Sequence, residues 1–229
     1  MKKFLAFAGL CLLTAGAFAQ TNLQVFYDFG NDREFITTTL EGFYNDNWGN
    51  TFFFIDYDYP LKSELDNTSP SGTYMEIARC LNFWQNSKLA PLSFQVEYNG
   101  GAYKGYGINH SLLLGLDWFM HSADFSNTLN LKVLYKSIKG AEQKVPMQFT
   151  AVWGMQDLFN VKGLRFSGFA DLWWESKAVF ISEPQLWYNV GQHFGCENLH
   201  LGTEIELSAN FGGVDGFKCR PCLGAKWVF

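Results

Sequence analysis

The chain has 229 residues, with 17 Lys+Arg against 22 Asp+Glu, a formal net charge of -5 and an aromatic share of 18%. An acidic balance argues against a nucleic-acid polymer as partner, because phosphate backbones reward clustered cations. The length suits one domain with a sizeable core or a medium barrel.

Lys2 and Lys3 open the chain, "FLAFAGLCLL" comes next as an apolar run, and Ala17-Phe18-Ala19 is a small-x-small cleavage site. This pattern predicts a cleaved secretory signal peptide over residues 1–19 and one mature domain over 20–229. The run is too short to cross a bilayer as a helix, which takes about 20 residues. Cys11 leaves with the leader, and Leu10 before it does not suit lipoprotein processing. The remaining Cys80, Cys196, Cys219 and Cys222 are too sparse for a disulfide scaffold.

Period two dominates the mature chain. In "LQVFYDF" Leu23, Val25, Tyr27 and Phe29 share one side, with Gln24 and Asp28 on the other. "GNTFFFIDYDY" sets Thr51, Phe53, Ile55, Tyr57 and Tyr59 against Asn50, Asp56 and Asp58. "LSFQVEYN" alternates Leu92, Phe94, Val96 and Tyr98 with Ser93, Gln95, Glu97 and Asn99. "TLNLKVLYK" sets Leu129, Leu131, Val133 and Tyr135 against Asn130, Lys132 and Lys136. "LHLGTEIELSANF" sets Leu199, Leu201, Ile205, Leu207 and Phe211 against His200, Glu204, Glu206 and Asn210. Turn signals such as "NDNW", "DNTSPSG", "SADFSN" and "GGVDG" separate these runs.

About twelve alternating segments of roughly 9–13 residues predict an all-β chain. They are longer than the usual globular strand of about 5–6 residues and match the length that spans a membrane. A soluble sandwich buries the apolar face, whereas an antiparallel transmembrane β-barrel turns it to lipid and lines its lumen with the polar face. Aromatics near segment ends (Tyr57, Tyr59, Tyr98, Trp118, Tyr135, Trp153, Trp174 and Trp227) resemble interfacial girdles and favour the barrel, placed in the outer membrane.

The closing "FKCRPCLGAKWVF" also carries a C-x-x-C spacing. Residues three apart on a strand face opposite ways, so Cys219 and Cys222 diverge on a regular strand. Pro221 is expected at a bulge or a strand start, and a bulge there brings the sulfurs within reach of a rim disulfide. A thiol enzyme needs a βαβ setting, which the pattern lacks.

Leu223-Gly224-Ala225-Lys226-Trp227-Val228-Phe229 resembles the C-terminal signature of bacterial outer-membrane proteins, which the barrel-assembly machinery recognises. With "TFFFIDYDYP", "GLRFSGFADLWWES" and "ISEPQLWYNVG", the chain resembles the nucleoside-specific (Tsx-like) channel family of outer membranes. The resemblance implies a twelve-stranded monomeric barrel in contact with outer-membrane lipids, passing nucleosides passively and without a cofactor. The chain is short for that family, and each motif is loose.

Strand parity assigns Phe52, Phe54, Asp56 and Asp58 to the lumen, then Arg165, Phe169, Asp171, Trp173 and Glu175. It adds Gln185, Trp187 and Asn189, and finally Glu204, Glu206, Lys218, Arg220 and Lys226. For a nucleoside, Phe169, Trp173 and Trp187 are a candidate stacking track, with Asp171 and Asn189 as hydrogen-bond partners. The bland reading is that these rings plug or stiffen a narrow barrel and that Arg165 and Lys226 pair with carboxylates across the lumen. Two other functions remain open: a lipid-modifying barrel enzyme, and a closed structural or adhesin barrel. His110, His121, His193 and His200 lie in no H-E-x-x-H or G-x-S-x-G setting, and no metal site is expected.

Overall fold

The computed structural model describes residues 19–30, 34–61 and 70–229. The candidate leader lies outside the described residues except for Ala19, where the first strand opens. The strands are β1 (Ala19–Asp28), β2 (Phe35–Asp46), β3 (Gly49–Pro60), β4 (Gly72–Leu81), β5 (Leu92–Tyr103) and β6 (Tyr106–His121). They continue with β7 (Asn127–Ile138), β8 (Met147–Met155), β9 (Leu164–Trp174), β10 (Ala178–Ser182), β11 (Gln185–Tyr188), β12 (Leu199–Ala209) and β13 (Phe217–Val228).

Neighbouring strands pair antiparallel around the ring, and β1 pairs with β13, so the sheet closes. β10 and β11 share one place in the ring. Both lie between β9 and β12, and the register that pairs Asp171 with Ile181 continues to Ser167 with Gln185. Glu183 and Pro184 interrupt this strand, since proline brings no N–H to the ladder. The gap is stitched by Glu183 N donating to Phe169 O at 3.1 Å and Ile205 N to Pro184 O at 3.1 Å. The result is a closed twelve-stranded antiparallel transmembrane β-barrel.

Closure leaves no unpaired edge, which lets such a sheet sit in hydrocarbon. Leu23, Val25, Leu40, Ile77, Leu112, Leu114, Leu131, Val133, Leu201 and Leu223 are exposed on the outside. Tyr44, Phe53, Trp118, Trp153, Phe166, Tyr188 and Trp227 point outward near the end where β1 begins and β13 finishes. Tyr27, Tyr57, Tyr59, Tyr135 and Trp174 do so near the opposite end. Two aromatic rings thus bracket an aliphatic belt, the distribution that membrane interfaces select.

Three local expectations are corrected. Pro221 sits inside β13 with no register shift: Ile205 pairs with Pro221 and Asp28 with Cys222. Phe29 N donates to Pro221 O at 2.9 Å. A residue's N and O point to the same neighbour in an antiparallel ladder, so the missing N–H faces Phe29, beyond the end of β1. Proline therefore removes no bond from within the ladder. Cys219 is exposed and Cys222 buried, on opposite faces, so no rim disulfide joins them. Finally, β12 ends at Ala209 because Asn210 adopts φ 54°. That turn reverses parity and folds Phe211 inward against Trp173, with ring centroids 6.0 Å apart.

Candidate functional site: the barrel interior

Side chains from every wall fill the bore. Trp187, Leu113, Leu134, Gln24, Gln95 and Ser208 are the largest fully buried side chains. The interior is nonetheless polar and its charge is divided. Asp28, Glu41, Asp56, Asp58, Glu76, Glu97 and Asp117 face inward from β1–β6, where no lysine or arginine faces inward among the described residues. The opposite wall supplies Lys132, Lys136, Arg165, Lys218, Arg220 and Lys226, with Asp171, Glu204 and Glu206 among them. An acidic half therefore faces a mixed half.

Two constrictions cross this space. Nearer the end where β1 begins, the Lys226 ammonium lies 4.0 Å from the centroid of the Trp187 ring, whose other neighbours include Phe26 at 5.5 Å. Trp187 Nε1 donates to Gln185 Oε1 at 2.8 Å, and Gln185 Nε2 donates to Glu204 Oε2 at 2.6 Å. Gln24 pairs across the seam with Lys226 and passes a hydrogen bond to Asn22 (2.8 Å), which donates to Glu41 (2.9 Å).

At the second constriction the Lys136 ammonium lies 3.8 Å from the Trp173 centroid and donates to Gln148 Oε1 at 2.7 Å. Trp173 packs on Val179 and Ile181, and its Nε1 donates to Glu175 Oε1 at 3.0 Å. Both lysines make cation–π contacts in a water-poor setting, where such contacts are worth about 2 kcal/mol. A third cluster pairs Arg220 Nη1 with Glu206 Oε1 at 2.5 Å, with Ser208 Oγ donating to the same oxygen at 2.8 Å.

Most of the residues expected from parity reach the bore: Phe54, Asp56, Asp58, Arg165, Phe169, Asp171, Trp173, Trp187, Glu204, Glu206, Arg220 and Lys226 face inward. Glu175 lies just past β9 at the rim and is exposed, reaching back to Trp173. Asn189 is not on a strand: it caps a short 3-10 turn at Val190–His193, accepting from Gln192 N at 3.1 Å and donating to Glu197 O at 2.9 Å. It is therefore no partner for a solute held at Trp173. The candidate stacking track is also covered, because lysine occupies one face of both tryptophans. Asp56 and Asp58 are held by the hydroxyls of Thr39 (2.5 Å) and Thr37 (2.6 Å), and Tyr103 OH also donates to Asp58. The cation pairings of the bland reading are corrected: Arg220 makes a contact ion pair with Glu206, while Lys226 sits on Trp187 and Arg165 donates to Gln156 at 3.4 Å.

Sequence reasoning missed β4. It brings Tyr74 and Glu76 inward, Tyr74 OH donating to Glu76 Oε1 at 2.7 Å. Its alternation is masked because Ala78 and Cys80 face in while Arg79 faces out to Asp46 at the rim, 2.8 Å away. A wet Tyr74-x-Glu76 pair in "GTYMEIARCL" is the signal that was present. Two of the histidines pair with tyrosines, His110 with Tyr98 on the outer face at 2.5 Å and His193 with Tyr188 at 2.6 Å. Outside the strands, the hydroxyls of Ser122 and Ser126 hold the Asp124 carboxyl down at about 2.

These features define a transmembrane barrel with an apolar belt and a charged, side-chain-filled interior. Over residues 19–229 the chain belongs to the family described as Domain of unknown function (DUF5020). No curated protein matches the sequence. Among solved structures it is similar to OprB of Pseudomonas putida, at 11% identity, with 85% of this chain and 59% of that one covered and a TM-score of 0.42. The outer-membrane channel DcaP of Acinetobacter baumannii gives 10% identity, coverage of 94% and 98%, and a TM-score of 0.42. A Rhodopseudomonas blastica porin variant gives 8% identity, coverage of 93% and 99%, and a TM-score of 0.38.

Proposed function

We propose that the protein is an outer-membrane channel for small polar solutes, held closed in this conformation by its own interior side chains. The observation that carries this reading is the inverted polarity: an exposed aliphatic belt surrounds rows of carboxylates, amides and ammonium groups that run from rim to rim. Such rows are costly to bury and useful where water and solutes pass. On this reading, opening moves interior side chains, Lys226 and Lys136 among them, and leaves the ladder intact.

Nucleosides are the narrower form of the proposal. Phe52, Phe54 and Tyr74 form a run of rings with centroids 6.1 and 5.9 Å apart, beside Asp56 and Glu76. A base can stack there while a ribose meets a carboxylate. The exposed terminal Phe229, whose N donates to Thr21 O at 2.9 Å, leaves its ring available to the assembly machinery.

Purified protein in a planar bilayer tests the function. Unitary current steps in potassium chloride, reduced by millimolar adenosine or thymidine, are the expected result. Steps indifferent to nucleosides retain the channel and remove that solute class. Silence across voltages, with the barrel verified by its heat-modifiable gel mobility, overturns the channel and favours the closed structural barrel that the filled interior also fits.

A further inference from the structure

We infer that the interior holds a binding site for a protonated amine, formed by Glu76, Glu97, Asp171 and Asn99 beside Lys136 and Trp173. The inference rests on the reading of the bore as a solute path and adds a second solute class beside the nucleosides.

The three carboxylates approach from β4, β5 and β9, and each is held by a neutral donor. Tyr74 OH and Asn99 Nδ2 donate to Glu76 Oε1 at 2.7 and 3.0 Å, Gln95 Nε2 to Glu97 Oε2 at 2.6 Å, and Thr150 Oγ1 to Asp171 Oδ1 at 2.5 Å. None of the three belongs to a contact ion pair among the described residues. Lys136, on which all three charges act, gives its hydrogen bond to Gln148 and its remaining charge to the Trp173 face. Glu97 is buried and Glu76 and Asp171 are half-buried; carboxylates grouped without a contact cation repel one another, and one ammonium does not balance them.

A separate observation points to a donor-bearing ligand. Asn99 is 4% exposed, and its Oδ1 has no hydrogen-bond partner although its Nδ2 anchors it to Glu76. The same condition recurs at the other constriction, where Gln24 is 1% exposed and its Oε1 has no partner beside Glu41 and Lys226. Buried acceptors of this kind are satisfied in nearly all proteins. A ligand with several N–H donors supplies the missing bond and the missing charge together. A bare metal ion does not fit, because no three metal-ligating side chains among the described residues converge on one point. An amine spreads its donors over separated acceptors and meets the aromatic face as Lys136 does. Lys136 thus acts as a tethered surrogate for the solute.

The test uses full-length protein refolded in detergent, with butane-1,4-diamine as probe and uncharged butane-1,4-diol as control, read by calorimetry and by block of bilayer current. Saturable binding of the diamine and none of the diol is expected. Glu76→Gln with Glu97→Gln should weaken binding at least tenfold, whereas Lys136→Met, which empties the ammonium position, should tighten it severalfold. Heat-modifiable mobility verifies that each variant is folded, and the opposite signs of the two effects separate ligand binding from general damage. Absence of diamine binding to the folded wild type, or equal binding in the double variant, overturns the site. If current persists without any diamine effect, the amine site falls and the channel stands. If the diamine binds without current, the site stands and the channel falls.

Discussion

Arg220 and Glu206 face one another across the β12–β13 pair, both buried, at 2.5 Å. Removing one partner of such a pair leaves a buried charge unanswered and costs about 3–5 kcal/mol, whereas replacing both with apolar groups costs far less. Arg220→Ala is therefore expected to lower the denaturant midpoint of the reconstituted barrel, and Arg220→Leu with Glu206→Leu to recover most of it. An unchanged midpoint in the single variant would show that Ser208 and the other neighbours of Glu206 suffice to hold its charge. At this scale much of the interior was legible in the sequence, because period two alone tells which side Asp171, Trp187 or Lys226 takes. Their partners were not. Lys226 rests on an indole rather than a carboxylate, since what meets across a bore depends on strand tilt and stagger, which alternation does not encode.

Among the elements, the interrupted strand β10–β11 depends on its neighbour. Gly168 has φ 152°, and a Cβ there would lie 2.5 Å from Glu183 O and 2.9 Å from Pro184 Cα. Glycine lets β9 pass close to the break that proline imposes. Gly168→Val is expected to cost about 1–3 kcal/mol of backbone strain in addition to that clash. The loss should appear as a reduced heat-stable fraction on gels, while Gly107→Val, with open space around its Cβ position, changes little. The long strands with clean alternation, such as β5 and β7, could be read directly from residue types. β4 could not, since small Ala78 and Cys80 face the bore and charged Arg79 reaches a rim partner. Nor could the end of β12, where the single backbone angle at Asn210 redirects Phe211.

For the whole molecule, the division of charge between the walls sets an expected selectivity. Carboxylates outnumber lysines and arginines in the bore, and a low-dielectric wall concentrates that excess on anything entering. A tenfold potassium chloride gradient across a bilayer should give a reversal potential of the sign for cation passage, shrinking as Asp56 and Asp58 are changed together to Asn. A reversal potential of anion sign would mean that Lys132, Arg165 and Lys218 dominate the path. The closed all-β architecture was legible from strand length and count. A full bore was only one of the readings left open, because side-chain volume inside a ring depends on its diameter.

The pairing of β1 with β13 joins the first and last strands, and β13 carries Lys218, Arg220 and Lys226. While the polypeptide is being inserted, the acidic side chains of the earlier strands accumulate with few counter-charges of their own. Docking of β13 then closes the seam and adds Lys218, Arg220 and Lys226 to the acidic cavity in one event. A barrel that stalls before this step is open-edged and lacks three of its interior cations at once.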